Sequence, residues 1–261
     1  MAKTVDSQSN VMSTALSGEL DELAVACRIL EMEGHGSRML GHMALRDPDG
    51  RGIWLKRAGL AFSEVHDHRD FVLIDFDGNQ LLGDGKRHSE WPIHTEIMKR
   101  RDDINVTAHS HPFHGRVFSA CTEPLRPIAS AAAYFKRPPP RFELTSELIR
   151  AVDVAAAMAE VLGDNPALFL RNHGVVFCGD TIARATIMGI RLEEACREHL
   201  AMAASGLAWS TPDAKEQERK FQGTGKPAVL AANFEFFRRR LEALEASGHP
   251  HFPGRRLDAG L

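Results

Sequence analysis

Hydrophobic positions along the chain repeat with two different periods. Over residues 19–32 apolar side chains recur at helical spacing, after a polar segment over residues 1–17 that is predicted to be flexible. Short apolar, β-branched runs between turn residues predict strands over residues 43–46, 53–56 and 71–75. The tripeptide Asp77-Gly78-Asn79 predicts a hairpin turn into a further strand over residues 80–82.

Helical spacing returns in the second part of the chain. It predicts a helix over residues 89–100, with Ser89 as its N-cap, and further helices over residues 114–120, 145–162, 181–204 and 226–246. Residues 206–225 are predicted to break the last two helices apart. Because strands and helices do not alternate strictly, an α/β fold with a mixed, partly antiparallel sheet is favoured over a doubly wound fold. We expect a catalytic domain over residues 18–206 and a C-terminal helical extension over residues 207–261.

Composition and charge exclude several classes of function. The 261 residues carry a formal net charge of -3 without a block of Lys or Arg, which argues against a nucleic-acid surface. No apolar run approaches the roughly 18 residues of a membrane span, and the first 20 residues hold no signal-peptide core, so we expect a cytoplasmic protein without membrane contact. The four cysteines are far apart, which predicts reduced thiols.

Three histidines carry the most specific chemistry in the chain. Residues 104–108 predict a strand that enters His109-Ser110-His111, and residues two apart on a strand point to the same face. A second predicted strand over residues 167–171 would bring in His173. Three imidazoles around one point would make a metal site with open positions, as catalytic zinc sites have. The alternative is a pair of partly buried histidines that bond to backbone carbonyls.

Four motifs resemble the class II aldolase/adducin family in order and separation over about residues 20–205. They are the run from Phe71 to Gly78, Ser89-Glu90 with His94, His109-x-His111 and His173-Gly174. The resemblance implies a three-layer αβα sandwich and a homotetramer with active sites at subunit boundaries. It also implies that Glu90 is the catalytic acid/base and that His109, His111 and His173 hold one divalent metal ion. For Glu90 the alternative is a helix-start carboxylate that interacts with the helix dipole.

This chain departs from the phosphate-binding members of the family. Those members carry a Gly-Asn pair, a Pro-Ser-Gly loop and a Ser-Ser pair, where this chain has Gly41-His42, Arg57-Ala58-Gly59 and His88-Ser89. The aldolases also place a His-Tyr pair where this chain has Ser130-Ala131, with its lone tyrosine at Tyr134. We therefore do not expect a phosphorylated sugar as substrate.

The remaining features resemble the family's decarboxylases of hydroxylated aromatic or enol carboxylates. We expect a metal-dependent carbon–carbon lyase that acts through a metal-stabilised enolate. The expected ion is Zn²⁺ or Mn²⁺, with Fe²⁺ and Co²⁺ as further candidates. His42, Arg57, His88 and Ser89 are the candidate binding residues for a small-molecule carboxylate substrate. A class II aldolase for a small hydroxy-carbonyl compound is the second interpretation, and a non-catalytic interaction module the third. We expect Lys56, Lys86 and Arg87 on a solvated face, and His114 to pack at a helix start.

Overall fold

The computed structural model describes residues 13–252. Its helices are α1 (Thr14–Met32), α2 (Pro92–Arg100), α3 (Phe113–Ser119), α4 (Val152–Leu162), α5 (Ile182–Ser205), α6 (Ala214–Thr224) and α7 (Pro227–Ala246). Its strands are β1 (His42–Arg46), β2 (Ile53–Lys56), β3 (Phe71–Ile74), β4 (Gln80–Leu82), β5 (Val106–Ser110), β6 (Arg141–Phe142), β7 (Ala167–Leu170) and β8 (Gly174–Gly179). Short 3₁₀ helices lie in the connections at Phe62–Glu64, His68–Asp70 and Ala131–Tyr134.

All eight of these strands form one sheet in the order β4-β3-β2-β1-β5-β8-β7-β6. Neighbouring strands pair antiparallel, except that β6 runs parallel to β7. The expected mixed, largely antiparallel sheet is therefore confirmed. Strand β5 lies in the middle of the sheet between β1 and β8, so the side chains at its end are surrounded by protein.

Helices cover both faces of the sheet, which makes the fold a three-layer αβα sandwich, as expected. Successive residues of a strand point to opposite faces. On β2, Trp54 packs in a hydrophobic cluster with α1, α5 and α7, whereas Ile53 and Leu55 pack in a second cluster with α2 and α4. Burial on both faces explains why the strand segments are almost continuously apolar instead of alternating with polar residues.

The first helix begins five residues before the predicted start. Ser13 caps it, since the Ser13 hydroxyl accepts a hydrogen bond of 3.2 Å from the backbone N–H of Leu16. Leu16 is buried, so the polar composition before Glu19 concealed a first helical turn. Residues 1–12 lie outside the described residues, and flexibility there stays a prediction.

Two predicted helices are shorter in the structure. Helix α2 begins at Pro92, and its N-cap position is Trp91, which makes no side-chain cap hydrogen bond, so the prediction that Ser89 caps this helix is wrong. Helix α4 begins at Val152 and not at residue 145. In the segment before it, the backbone N–H of Ile149 donates a hydrogen bond to the Glu90 carboxylate and not to a helical carbonyl. Gly163 ends α4 as predicted, with φ of +55°.

The predicted break over residues 206–225 contains helix α6. Its N-cap is Asp213, whose carboxylate accepts a hydrogen bond of 2.8 Å from the backbone N–H of Glu216. Helix α7 buries Leu230, Phe234, Phe237 and Leu241 in the cluster shared with α1 and α5. The division between residues 18–206 and 207–261 stays a proposal, in which the extension packs on the catalytic domain.

Candidate metal centre and active site

The three predicted ligands meet at the centre of the sheet. His109 is the fourth residue of β5, His111 follows the end of that strand, and His173 immediately precedes β8, the antiparallel neighbour of β5. One ligand-type atom from each side chain lies within 4.8 Å of the others. The ring centroids are 4.5 Å apart for His109 and His111, and 4.9 Å apart for His109 and His173.

Hydrogen bonding leaves His109 ready to bind a metal. Its Nδ1 lies 2.9 Å from the carbonyl oxygen of Val175. A carbonyl only accepts, so Nδ1 donates, and the lone pair of the neutral ring is then on Nε2. Complete burial holds the pKa of His109 well below its ordinary value, which keeps the ring neutral as ligation requires. Among the described residues, His109 Nε2, His111 Nδ1 and both ring nitrogens of His173 are buried without a hydrogen-bond partner.

Two backbone features let the ligands approach each other. Asn172 adopts the left-handed conformation with φ of +56°, which turns the chain from β7 into β8 and delivers His173. A β-carbon at Gly174 would lie 2.6 Å from the carbonyl oxygen of Ser110 and 2.9 Å from Cδ2 of His111. The position therefore requires glycine, because any side chain would push the strand carrying His173 away from the strand carrying His109.

Glu90 faces these histidines from the segment before α2. Its carboxylate oxygens lie 3.8 Å from Nε2 of His109 and 3.9 Å from Nε2 of His173. Oε1 accepts a hydrogen bond of 2.9 Å from the backbone N–H of Ile149. Burial raises the pKa of Glu90 to about 7, against the smaller opposing effect of the Ile149 N–H. At neutral pH this carboxyl group can both donate and accept a proton.

His42 and His88 form a second group beside Glu90. Ligand-type atoms of these three residues also lie within 4.8 Å of one another, and His42 Nε2 is 3.9 Å from a Glu90 oxygen. The rings of His42 and His88 lie against each other with centroids 3.9 Å apart. His42 is the cross-strand partner of His109, so the pairing of β1 with β5 places both groups side by side.

The other two predicted binding residues are not joined to these groups. Ser89 is exposed, and within residues 13–252 no hydrogen bond links its side chain to the site. The Arg57 guanidinium pairs with the buried carboxylate of Asp70 at 3.3 Å. A role for either residue in substrate binding stays a prediction.

Two further expectations have clear structural outcomes. The prediction that Lys56 is solvated is wrong, since the residue is fully buried and its ammonium donates to the carbonyl oxygen of Leu60 at 2.5 Å. His114 packs at a helix start, as expected. Its Nδ1 lies 2.7 Å from a Glu193 oxygen, and Glu193 also accepts the backbone N–H groups of His114 and Gly115 at the start of α3.

Sequence reasoning gave no role to His94 and Thr107. His94 Nε2 lies 2.6 Å from His42 Nδ1, and His94 Nδ1 lies 2.6 Å from the hydroxyl oxygen of Thr107. The available signal was alternation, because Thr107 lies two residues before His109 on one strand and therefore on the same face.

These residues fit a divalent ion, since three neutral imidazoles converge with partnerless buried nitrogens. The chain matches the family described as the class II aldolase and adducin N-terminal domain over residues 21–200. It therefore belongs to that family, as the sequence motifs predict.

Relatives of this chain include both decarboxylases and aldolases. It is 32% identical over 210 residues to the 3,4-dihydroxyphthalate decarboxylase of Arthrobacter keyseri, and the aligned region covers 74% of this chain and 82% of the relative. It is 28% identical over 182 residues to the L-fuculose phosphate aldolase of Methanococcus maripaludis, covering 67% and 93%. An aldolase II superfamily structure from Pseudomonas syringae superposes with a TM-score of 0.79 at 23% identity, covering 90% and 95% of the two chains, which supports the fold. Helices long and apolar enough to cross a membrane are absent from residues 13–252.

Proposed function

We propose that the protein is a divalent-metal-dependent lyase that decarboxylates a hydroxylated aromatic or enol carboxylate. The observation that carries the proposal is the group of His42, His88 and Glu90 directly beside the three histidines. His42 and His88 occupy the positions where phosphate-binding family members are expected to carry an amide and a hydroxyl. Buried imidazoles there offer single N–H donors to a carboxylate instead of the set of donors that surrounds a phosphate.

His109, His111 and His173 would hold the ion. A divalent ion there supplies a Lewis acid that stabilises negative charge as the carbon–carbon bond breaks. Zn²⁺ and Mn²⁺ are the first candidates for that ion, and Fe²⁺ and Co²⁺ the next. Val175 orients His109 by accepting its Nδ1–H, so the ring keeps its lone pair directed at the site.

Glu90 moves the proton in the proposed reaction. When carbon dioxide leaves, the electron pair of the broken bond stays on carbon, and the protonated Glu90 carboxyl can deliver a proton to it. The ionised carboxylate then recovers a proton from water. In the metal-free protein, burial raises the pKa of Glu90 to about 7, which favours the protonated carboxyl group that this step requires.

Two observations favour decarboxylation over aldol cleavage. The relative from Arthrobacter keyseri is named for a dihydroxylated aromatic dicarboxylate. The single tyrosine of the chain, Tyr134, is buried beneath the guanidinium of Arg191, with 5.0 Å between that group and the ring centroid. Tyr134 lines a cavity with Asp103 and Gly179, at the end of β5 and β8 opposite His109, so it is not placed as the phenolic proton donor that an aldolase of this family is expected to use.

The proposal includes a cytoplasmic homotetramer with active sites at subunit boundaries. Phe113 and Val117 support the boundary, since both are apolar and lie largely exposed on α3, directly after His111. A second copy of the chain is the proposed cover. Static light scattering tests it, because Phe113→Glu is expected to yield smaller assemblies than the unmodified protein.

Arg57 and Ser89 stay in the proposal as binding residues for the substrate. If Arg57 leaves Asp70 to bind a carboxylate, Arg57→Ala raises KM more than it lowers kcat, the pattern of uniform binding. An unchanged KM would leave Arg57 as the structural partner of Asp70 only.

The test of the reaction is a substrate screen. Hydroxylated aromatic mono- and dicarboxylates, including 3,4-dihydroxyphthalate, are assayed for carbon dioxide release with Mn²⁺ or Zn²⁺ supplied separately. L-fuculose phosphate cleavage is measured in parallel. We expect carbon dioxide release from at least one carboxylate with an adjacent hydroxyl. Efficient sugar-phosphate cleavage would favour the aldolase, and purified protein that binds no metal would favour an interaction module.

A further inference from the structure

Three buried side chains form a hydrogen-bonded chain that ends at the site. Thr107 on β5 lies 2.6 Å from His94 on α2, and His94 lies 2.6 Å from Nδ1 of His42 on β1. All three residues are fully buried. The free end of the chain is His42 Nε2, which has no hydrogen-bond partner among the described residues and faces Glu90 at 3.9 Å.

Each of the two imidazoles in this series of hydrogen bonds carries one proton on its ring nitrogens. Both rings are fully buried, and the hydrogen bonds of the described residues join them only to each other and to a hydroxyl, with no carboxylate bonded to either, so both rings are neutral. A neutral imidazole has one N–H donor and one lone pair. The hydrogen bonds from Thr107 through His94 to His42 can therefore run in either of two directions. The direction decides whether His42 presents a proton or a lone pair at Nε2.

Thr107 decides between the two directions. In one direction the Thr107 hydroxyl donates to His94 Nδ1, His94 Nε2–H donates to His42 Nδ1, and His42 carries its proton on Nε2. In the other direction His94 donates to Thr107, and the Thr107 proton needs a different acceptor. Within residues 13–252, the Thr107 hydroxyl has no hydrogen-bond partner other than His94. A buried hydroxyl proton without an acceptor is costly, so the first direction is favoured.

We propose that Thr107 and His94 are positioning residues that fix His42 as its Nε2–H tautomer, so that His42 donates a hydrogen bond to a substrate carboxylate. The carboxylate as ligand rests on the proposed function, whereas the tautomer rests on the hydrogen bonds alone. A protonated Nε2 has no lone pair for a metal ion. The group of His42, His88 and Glu90 is then a binding site for an anionic oxygen and not a second metal site.

A neutral donor also suits its neighbour. A guanidinium 3.9 Å from the Glu90 carboxylate would favour the ionised carboxylate and lower its pKa, since opposite charges at that distance interact strongly. His42 contributes an N–H without a charge. It can therefore bind a carboxylate 3.9 Å from Glu90 without adding a positive charge beside that residue.

Neutron diffraction tests the tautomer directly. Crystals of the zinc-loaded protein, exchanged into deuterium oxide, are expected to show deuterium on His42 Nε2, on His94 Nε2 and on the Thr107 hydroxyl. Deuterium on His42 Nδ1 would overturn the proposal. Zinc content is expected to be one ion per chain, and a second ion that is lost in His42→Asn would also overturn it.

Kinetics of two substitutions test the positioning role. Thr107→Val removes the hydroxyl at nearly constant volume, so the chain loses its preferred direction. KM for an aromatic dicarboxylate is expected to rise about tenfold with kcat changed less than about threefold, the change that losing one hydrogen bond to a charged group produces. Thr107→Ser keeps the hydroxyl and is expected to restore KM. Thr186→Val is the matched control, since it removes another fully buried hydroxyl, one that bonds within α5.

Each outcome bears on one statement. An unchanged KM in Thr107→Val would overturn the positioning role. If Thr107→Val does not fold, the neutron structure still decides. Deuterium on His42 Nε2 in a protein that releases no carbon dioxide from any carboxylate would refute the proposed function and leave the tautomer standing.

Discussion

The carboxylate of Glu90 accepts a hydrogen bond of 2.9 Å from the backbone N–H of Ile149. This contact joins the segment before α2 to the segment before α4, two stretches separated by 59 residues of sequence. It fixes the position of one carboxylate oxygen, and the second oxygen remains 3.8 Å from His109 and 3.9 Å from His42. The carboxylate is therefore held in place by the backbone while it faces the histidines.

Glu90→Gln is expected to remove most turnover and to leave the fold and the metal in place. The glutamine carbonyl oxygen can still accept the Ile149 N–H, but the side chain can no longer transfer a proton. General acid–base groups typically contribute about 10²–10⁴-fold in rate, so kcat is expected to fall within that range. Steady-state kinetics and metal analysis of the same preparation measure both effects.

The matched control is Glu96→Gln. Glu96 is a largely buried carboxylate on α2 that pairs with Lys99 at 2.7 Å and belongs to neither histidine group. Its substitution is expected to leave kcat unchanged. A Glu90→Gln enzyme with kcat within a factor of about three of the unmodified protein would contradict the acid/base role.

Substitution of any one of His109, His111 and His173 by alanine is expected to abolish activity and remove most of the bound metal. Catalytic zinc sites typically use three protein ligands, so the loss of one leaves an incomplete set. Metal content by mass spectrometry and circular dichroism separate loss of the ion from loss of the fold. His68→Ala is the control, because His68 is a partly exposed histidine that pairs with Asp21. If a variant with all three histidines replaced by alanine retained the metal content of the unmodified protein, these residues would not be the ligands.

Gly174→Ala is expected to weaken metal binding although the glycine is no ligand. The new β-carbon would lie 2.6 Å from the Ser110 carbonyl oxygen, so β8 and β5 must separate and the distance between His173 and His109 must grow. We expect at least about a tenfold loss in metal affinity, measured by competition with a chelator. Gly223→Ala is the control, since that helical glycine has open space around its α-carbon. Equal affinities in the two variants would show that the close approach at Gly174 is not required.

Much of the site could be predicted from local pattern because its ligands lie at strand ends. Alternation along β5 places His109 and Thr107 on one face, and the β-branched run identifies the strand. The pairing of β1 with β5 was not predictable from either strand alone, yet it is this pairing that places His42 beside His109. The resemblance to the family names His42, His88 and Glu90, but contacts between distant strands depend on the whole sheet, so the grouping of these three side chains is visible only in the fold.

The other errors have different physical origins. Residues 145–151 carry helical spacing, but Ile149 gives its backbone N–H to Glu90, a contact across the fold that local propensity does not contain. The expectation of a solvated Lys56 fails because its ammonium donates a hydrogen bond to the carbonyl oxygen of Leu60 inside the protein. Helix α6 was missed although Asp213 and Glu216 provide an N-terminal capping signal.

The last prediction concerns acid stability of the metal-free protein. Burial lowers the pKa of His35 and His94 to about 3, and that of His88 and His111 to about 4. In the unfolded chain these rings titrate near 6.5, so below that pH the unfolded state binds more protons than the folded state. The stability that these rings contribute is complete above about pH 6.5 and is lost as pH falls toward their folded pKa values.

Glu90 changes the free energy of unfolding with pH in the opposite direction, but one carboxyl group contributes less than four histidines together. Its pKa is raised to about 7, so its contribution is present at low pH and is lost as pH rises through 7. Each histidine changes the free energy of unfolding by up to about 1.4 kcal/mol per pH unit, so four together give up to about 5.5 kcal/mol per unit. Urea unfolding of the chelator-treated protein at pH 7.5, 6 and 5 is expected to show a falling midpoint, with a smaller fall in His88→Asn. A midpoint that is constant or rises between pH 7.5 and pH 5 would mean that these histidines are not buried as neutral rings.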